Sequence, residues 1–285
     1  MPGTLFLVAT PIGNLEDMTF RAVRVLREVA VIAAEDTRRT ATLLAHYQIG
    51  TPTTSLHDHN ERSRVPALLK RLMAGEDVAV VTDAGMPSIA DPGYLMARTA
   101  IGAGARVEVI PGASALTSAI AGAGLPADVV AFLGFVPARA GERARFFSQF
   151  AHFQGTLVFF EAPHRLRESL KSLLDNVGDR QIAVAHELTK VHESWHRGFV
   201  SEVLANKELL EKGEFTVVVG AAARPEVGQN SGTLLDPETV SAEFGELTKT
   251  VGLERRAALA ELARKHQLPK RAIYSLIERA KKLAK

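Results

Sequence analysis

Two carboxylates, two glycines and two prolines fall within the eleven residues Asp83-Ala84-Gly85-Met86-Pro87-Ser88-Ile89-Ala90-Asp91-Pro92-Gly93. Glycine and proline at that density fold a loop sharply, and small residues let a ligand approach the backbone closely. The loop follows Val78-Ala79-Val80-Val81, an apolar run of strand length, through Thr82. Ligands of open α/β sheets bind at that end of the strands, so the loop marks a cleft. Read alone, Asp83 is a possible catalytic acid.

Other polar groups gather after other apolar runs. Glu35-Asp36-Thr37-Arg38-Arg39-Thr40 follows Val29–Ala34. Asp36 or Thr37 could cap a helix there, and two arginines exceed what a cap needs, so Arg38 or Arg39 is expected to meet a polyanion. Pro111-Gly112-Ala113-Ser114-Ala115 follows Val107–Ile110; its helix start could hold a carboxylate or a polar ligand edge, or Ser114 could simply cap the helix. The first turn, Thr10-Pro11-Ile12-Gly13-Asn14-Leu15, lacks both the lysine of a phosphate loop and the spacing of a dinucleotide fingerprint. Glu161-Ala162-Pro163-His164-Arg165 and His186-Glu187-Leu188-Thr189-Lys190-Val191-His192-Glu193 close two further strands. The histidines lack helical zinc spacing. Proton handling or phosphate contact suits these residues better than metal binding, and no metal is expected.

The elements that must position these groups follow from periodicity. Strands are predicted at 5–9, 29–34, 78–81 and 107–110, with helices at 20–26, 40–46, 65–73 and 93–103. Continuous apolar strands separated by helices describe a parallel sheet covered on both faces. Gly122-Ala123-Gly124-Leu125-Pro126 reads as a hinge. Strands at 130–135, 156–160, 181–185, 195–200 and 215–219, with helices at about 140–152, 164–175 and 201–211, describe a second, mixed α/β region. The expected organisation is an α/β domain over 1–118, a second over 119–224, a linker at 225–236 and a helical unit at 237–285.

The chain has 285 residues and no cysteine, which excludes disulfides, a thiol nucleophile and cysteine metal sites. No apolar run has the roughly 20 residues of a membrane span, and the first residues enter a strand without a leader pattern. A cytoplasmic location and no membrane partner are expected. The net charge of +2 is unevenly divided: residues 247–285 carry 11 Lys and Arg against 3 Asp and Glu, a surplus of +8, leaving −6 for the rest. A basic tail on an acidic body fits a polyanionic partner. In that tail Ala257, Ala260 and Leu262 are expected to face one way, and Pro269 to restart a helix carrying Ile273, Leu276 and Ile277. Two helices joined near Leu268-Pro269 look like a helix-turn-helix unit that would grip a polyanion backbone through Lys270 and Arg271; a dimer or docking contact is the alternative.

Six ordered segments, Thr10–Leu15, Ala34–Arg38, Asp83–Pro87, Asp91–Gly93, Glu161–Arg165 and Glu187–Lys190, together resemble the tetrapyrrole-methylase superfamily and, within it, the branch of small-subunit ribosomal RNA methyltransferases. The resemblance covers about residues 3–222 and extends to the basic tail. It implies two α/β domains, S-adenosyl-L-methionine in the cleft between them, and a homodimer. The implied activity is methylation of a cytidine ribose 2′-hydroxyl in the decoding region of 16S rRNA, within the 30S subunit or a late precursor. Carried over by position, Pro11, Gly13, Asp83, Ala84, Gly85, Ile89, Ala90, Ser114, Ala115, Phe160 and Leu188 would contact the cofactor. Met86 stands where tetrapyrrole enzymes have an aspartate, and Asp83 precedes instead, which fits the RNA branch. For the base, Glu161, Glu187, His164, His192 and Lys190 are candidates, with Lys190 and Glu187 preferred. Lys190 could be desolvated and neutral, or it and Arg165 could stay charged and hold phosphates, alongside Arg38 and Arg39. A tetrapyrrole-type methyltransferase and a non-catalytic, S-adenosylmethionine-sensing RNA-binding protein remain as alternatives.

Overall fold

A computed structural model describes residues 1–206, 213–222, 236–249, 252–266 and 270–283, with side chains of the last helix from Ile273 to Ala280. Lys270 and Arg271 begin that helix, and their side chains, like the linker and the Leu268-Pro269 turn, lie outside the described residues.

The first sheet is built from β1 (Thr4–Val8), α1 (Phe20–Glu28), β2 (Val31–Ala34), α2 (Thr37–His46), β3 (Thr53–Ser55), α3 (Glu61–Met73), β4 (Val78–Val81), α4 (Tyr94–Gly102) and β5 (Arg106–Ile110). Its strands run parallel in the order β3-β2-β4-β1-β5. Alternate residues feed two separate cores, as the pleat requires. Leu5, Leu7, Val78 and Val80 pack with Leu68 and Leu72 of α3 and Met96 of α4. Val8, Ile32, Ala79 and Val81 pack with Val25 and Leu26 of α1 and Leu44 of α2. Helices on both faces leave the loops after the strands as the natural ligand edge.

The second sheet follows α5 (Ala115–Ala123) and comprises β6 (Val130–Phe135), α6 (Ala140–Ser148), β7 (Thr156–Glu161), α7 (Leu166–Val177), β8 (Gln181–His186), β9 (Ser194–Phe199), α8 (Val200–Ala205) and β10 (Phe215–Val219). Its order is β6-β7-β10-β8-β9, with β10 antiparallel to both neighbours. Leu157, Phe159, Val184 and Val217 face α6 to α8. On the other face Val158, Ala183, Ala185 and Val218 meet Ala119 and Ala123 of α5, together with Ile12 and Leu188. Both sheets thus belong to one compact unit, Met1–Ala222. Residue 118, the expected boundary between two domains, lies inside α5.

The second unit, Ala223–Lys285, contains α9 (Pro237–Lys249), α10 (Arg255–Lys265) and α11 (Lys270–Leu283). Val240, Leu262, Ile273 and Ile277 form its core. Three helices stand where a two-helix unit was expected, because Phe244 and Leu247 of α9 supply a third apolar face. Ala258, not Ala257, pairs with Leu262 inside: the two lie one turn apart and are buried, whereas Ala257 is exposed. No helix among the described residues is long and apolar enough to cross a membrane.

Two other expectations shift. The three-residue edge strand β3 has no apolar run to announce it. Helix α3 begins four residues before Val65, so Pro66 lies in its second turn rather than its first. That extension places Glu61 where its Oε1 accepts the backbone N–H groups of Gly93, Leu95 and Met96 at 3.1, 3.2 and 3.3 Å. Glu61 therefore caps α4 from outside the helix, at an N-terminus where Gly93 has no side chain to do so. Replacing Glu61 by Ala is expected to cost about 1–2 kcal/mol of stability in urea denaturation, with Glu61→Gln recovering part of the loss.

Candidate active site

The ends of both sheets converge on one cleft. The first turn is stitched to the Asp83 loop by two backbone hydrogen bonds, Thr10 N–H to Gly85 O (2.9 Å) and Gly85 N–H to Thr10 O (3.0 Å), and Thr10 Oγ1 donates to Thr82 O at 3.0 Å. Gly85 adopts φ +84°, a conformation that favours glycine. Beyond it Ser88 and Ala90 also have positive φ (71° and 63°), a backbone cost held in place by Ser88 N–H to Pro92 O. On the far side, the loop after β8 carries positive φ at Glu187 and Thr189. Gly13 is where the two edges touch: a Cβ there would lie 2.5 Å from Lys190 Cγ and 3.1 Å from Leu188 O.

The larger cavity, about 420 Å³, is lined by Ile12, Met86, Ile89, Phe135 and Phe160 as apolar wall and by Glu35, Asp83 and Asp91 as acidic wall. Ala84, Gly85, Ala90, Ser114 and Ala115 also line it, and Ser114 opens α5 without making a side-chain cap bond. A smaller cavity of about 280 Å³ adjoins it, lined by Thr10, Pro11, Gly13, Thr82 and Lys190. The two share Ile12, Arg39, Asp83, Ala84 and Glu214 as a common wall. The Thr82 hydroxyl is buried there without a hydrogen-bond partner among the described residues.

The acidic wall is a mesh. Asp83 Oδ1 accepts the Asp36 N–H at 3.1 Å, Asp83 N–H donates to Glu35 Oε2 at 3.1 Å, and Arg39 Nη1 lies 3.0 Å from Asp83 Oδ2. Burial, then the charges of Asp83 and Asp58, raises the Glu35 carboxyl above its ordinary range against the Asp83 hydrogen bond. Burial, followed by the charges of Glu35, Asp83 and Asp58, pushes Asp91 up to about 7. Asp36 caps α2 by accepting the Arg38 N–H, and hydrogen bonds from the Arg38 side chain and backbone hold it well below the usual carboxylate range.

Lys190 stands between two carboxylates, Glu187 Oε1 at 2.9 Å and Glu214 Oε2 at 3.0 Å. Burial alone would lower its pKa, but the hydrogen bonds to Glu187 and Glu214 outweigh it and raise the value. Of the two states open to it, the geometry supports the charged one. Burial likewise works to raise Glu187, and the Lys190 and Glu214 N–H hydrogen bonds bring it below its ordinary value.

The remaining sequence candidates divide. Glu161 is fully buried, with Oε1 held by Arg165 Nη2 (2.6 Å) and its neighbour's N–H (2.7 Å) and Oε2 by the Ser169 hydroxyl (2.5 Å). It lines the larger cavity but orders the turn into α7. Arg165 is engaged by that pair. His164 and His192 are exposed, and neither lines the two cavities. Leu188 is buried in the core beneath the cleft. Arg38 is largely exposed and paired with Asp36. Phe135, Glu214 and Thr216 also line the larger cavity, although no sequence motif marks them; Phe135 ends β6, and strand ends are where ligands are met.

Residues 4–204 match the family described as Tetrapyrrole (Corrin/Porphyrin) Methylases. A relative from Streptococcus pyogenes serotype M1, named ribosomal RNA small subunit methyltransferase I, is 41% identical over 274 residues, covering 95% of this chain and 93% of the relative. A relative of the same name from Synechocystis is 43% identical over 276 residues, with 96% and 97% covered. Among solved structures, the methyltransferase CobJ superposes with a TM-score of 0.59 at 18% identity, covering 78% of this chain and 95% of that one; at that identity the likeness concerns the fold.

The Asp91 shift has a stability consequence. The group ionises near 3.8 when unfolded and near 7 when folded, so the folded chain holds the extra proton between those values and stability falls as pH rises from about 4 to about 7. Asp91→Asn is expected to match the natural chain near pH 4 and to melt at a progressively higher relative temperature up to pH 7, with no further gain above it. A constant difference across that range, in thermal melts, would refute the shift.

Proposed function

The chain belongs to the tetrapyrrole methylase family, and on that premise we propose that it is an S-adenosylmethionine-dependent methyltransferase acting on the 2′-hydroxyl of a cytidine ribose in the decoding region of 16S rRNA. Two compartments sharing one wall carry this reading: a larger apolar and acidic one beside a smaller one lined by Lys190. The larger has the size of a small-molecule site, which runs from roughly 300 to 1,000 Å³. Its carboxylates favour a cationic ligand, Gly85 opens the backbone to it, and the uncapped start of α5 at Ser114 and Ala115 offers N–H groups. Ile89, Ala90, Ala84 and Phe160 would hold S-adenosylmethionine there. When bound, it supplies a methyl group already activated by a positively charged sulfur.

The protein's main task is then alignment. Lys190, kept charged, orients the ribose oxygen in the smaller compartment. The hydroxyl becomes a strong acid only as its oxygen gains a third substituent, so a carboxylate of low basicity suffices; of the two that hold Lys190, Glu214 lines both compartments and takes the proton, while Glu187 fixes the lysine. Arg39, which lines both compartments, and Arg38 beside it in the chain would meet flanking phosphates. The acting species is a cytoplasmic homodimer, with the 30S subunit or a late precursor as substrate.

Incubating the chain with methyl-labelled S-adenosylmethionine and 16S rRNA, free and within 30S particles, should put the label on a cytidine ribose. Label on a tetrapyrrole instead, or binding of both ligands without transfer, would replace the reading. Lys190→Met should slow single-turnover transfer at saturating RNA by about 100-fold; an unchanged rate refutes its role. Removing residues 237–285 should weaken RNA binding and flatten its salt dependence, with S-adenosylhomocysteine affinity in calorimetry retained.

A further inference from the structure

The helical unit carries a cavity of its own, about 240 Å³, lined by none of the residues that line the cleft. Its floor is Phe244 of α9, Leu259 of α10 and Ile277 of α11, and its rim is Tyr274, Arg255, Arg256 and one carboxylate, Glu278. Helical spacing builds it: Arg255 and Leu259 are one turn apart on α10, and Tyr274 stands one turn before Ile277 and Glu278 on α11. Ile277 is 3% exposed and Tyr274 54%, so the apolar floor is closed below and the aromatic ring is open to solvent.

The two arginines at this rim stand where helix electrostatics opposes them. Arg255 and Arg256 occupy the first turn of α10, where the helix dipole disfavours cations, and among the described residues neither has a hydrogen bond or ion pair. At the other end of the same helix, where cations are favoured, Arg264 is paired with Glu261 at 2.7 Å and Lys265 with Glu243 at 2.8 Å. Two arginines without a side-chain partner among the described residues, in the unfavourable place, flank an exposed aromatic ring over an apolar floor. An aromatic face stacks any nucleobase, and neighbouring guanidinium groups hold phosphates.

We propose that this cavity receives one unstacked base of single-stranded RNA, stacked on Tyr274, with Arg255 and Arg256 holding the adjoining phosphates. The proposal rests on the reading of this chain as acting on RNA and names how the tail engages it. The surplus of +8 in residues 247–285 is the complementary charge. The small, closed floor suits one planar ring rather than an apolar helix.

The test uses the full chain and a short single-stranded RNA carrying 2-aminopurine, with the matching duplex as control. Binding should quench the fluorophore and favour the single strand. Tyr274→Ala should weaken binding about 10-fold, and Tyr274→Phe, which keeps the ring, should restore it. The double change Arg255→Gln and Arg256→Gln should reduce the slope of log affinity against log salt by about 1.4, or about 0.7 per phosphate. Circular dichroism confirms that each variant folds. Wild-type affinity in Tyr274→Ala, or an unchanged salt slope in the arginine double variant, overturns the proposal, and the groove then serves another partner or none. Methyl transfer to 16S rRNA, free and within 30S particles, is measured in parallel. Quenching that depends on Tyr274 without any transfer upholds this pocket and refutes the methyltransferase reading; transfer whose RNA half-saturation is unmoved by Tyr274→Ala does the reverse.

Discussion

The close contact at Gly13 governs the rest of this structure. The turn after β1 reaches the loop after β8 with no room for a side chain between them: a Cβ would stand 2.5 Å from Lys190 Cγ, 2.9 Å from Thr189 Oγ1 and 3.1 Å from Leu188 O. Core packing tolerates such crowding poorly. The same turn is tied on its other flank to Gly85 by a pair of backbone hydrogen bonds. One short segment thus fixes both walls of the cleft, and Lys190 and Asp83 reach the same space because glycine stands at both contacts.

Electrostatics divides that space. Glu35, Asp83 and Asp91 are close enough for their charges to oppose one another, and among the described cleft-lining residues Arg39 alone carries a cation into both compartments. A partly buried acidic wall of this kind is costly without a cation, which is the same property that would draw one in. On the second sheet the pattern reverses: Glu161 is so fully satisfied by Arg165, Ser169 and a backbone N–H that it serves as a rigid anchor. Carboxylates at two strand ends therefore do different work because one group is short of donors and the other has them all.

Much of this was legible in the sequence because strand-length apolar runs ending in polar loops leave few arrangements open. The runs at Val78–Val81 and Phe215–Val219 became strands with those bounds, and Thr10–Leu15, Asp83–Gly93 and Glu187–Lys190 met as their shared end-of-strand position requires. What escaped depended on partners distant in the chain. Glu214 becomes informative only because Lys190 lies 3.0 Å away. Glu61 reads as an ordinary first-turn acid until its hydrogen bonds to α4 are seen. His164 sits in a charged motif, yet the 3₁₀ turn Pro163–Arg165 directs it to solvent. In the tail, Ala257 and Ala258 are indistinguishable by hydropathy, and the third helix decides which is inside.

The state of Lys190 ties the chemistry to the fold. A lysine works as a base only where desolvation exceeds the attraction of nearby anions, and here two carboxylates within hydrogen-bond distance reverse that balance. Glu187 is held in turn by the backbone: it sits in a left-handed conformation and its carboxylate accepts the Glu214 N–H. The strain at Glu187 and Thr189 thus maintains a positioned cation. A site that keeps its lysine charged is suited to orienting a weak nucleophile toward a donor that brings its own activation, and poorly suited to reactions that begin with removal of a proton from an unactivated carbon or oxygen acid.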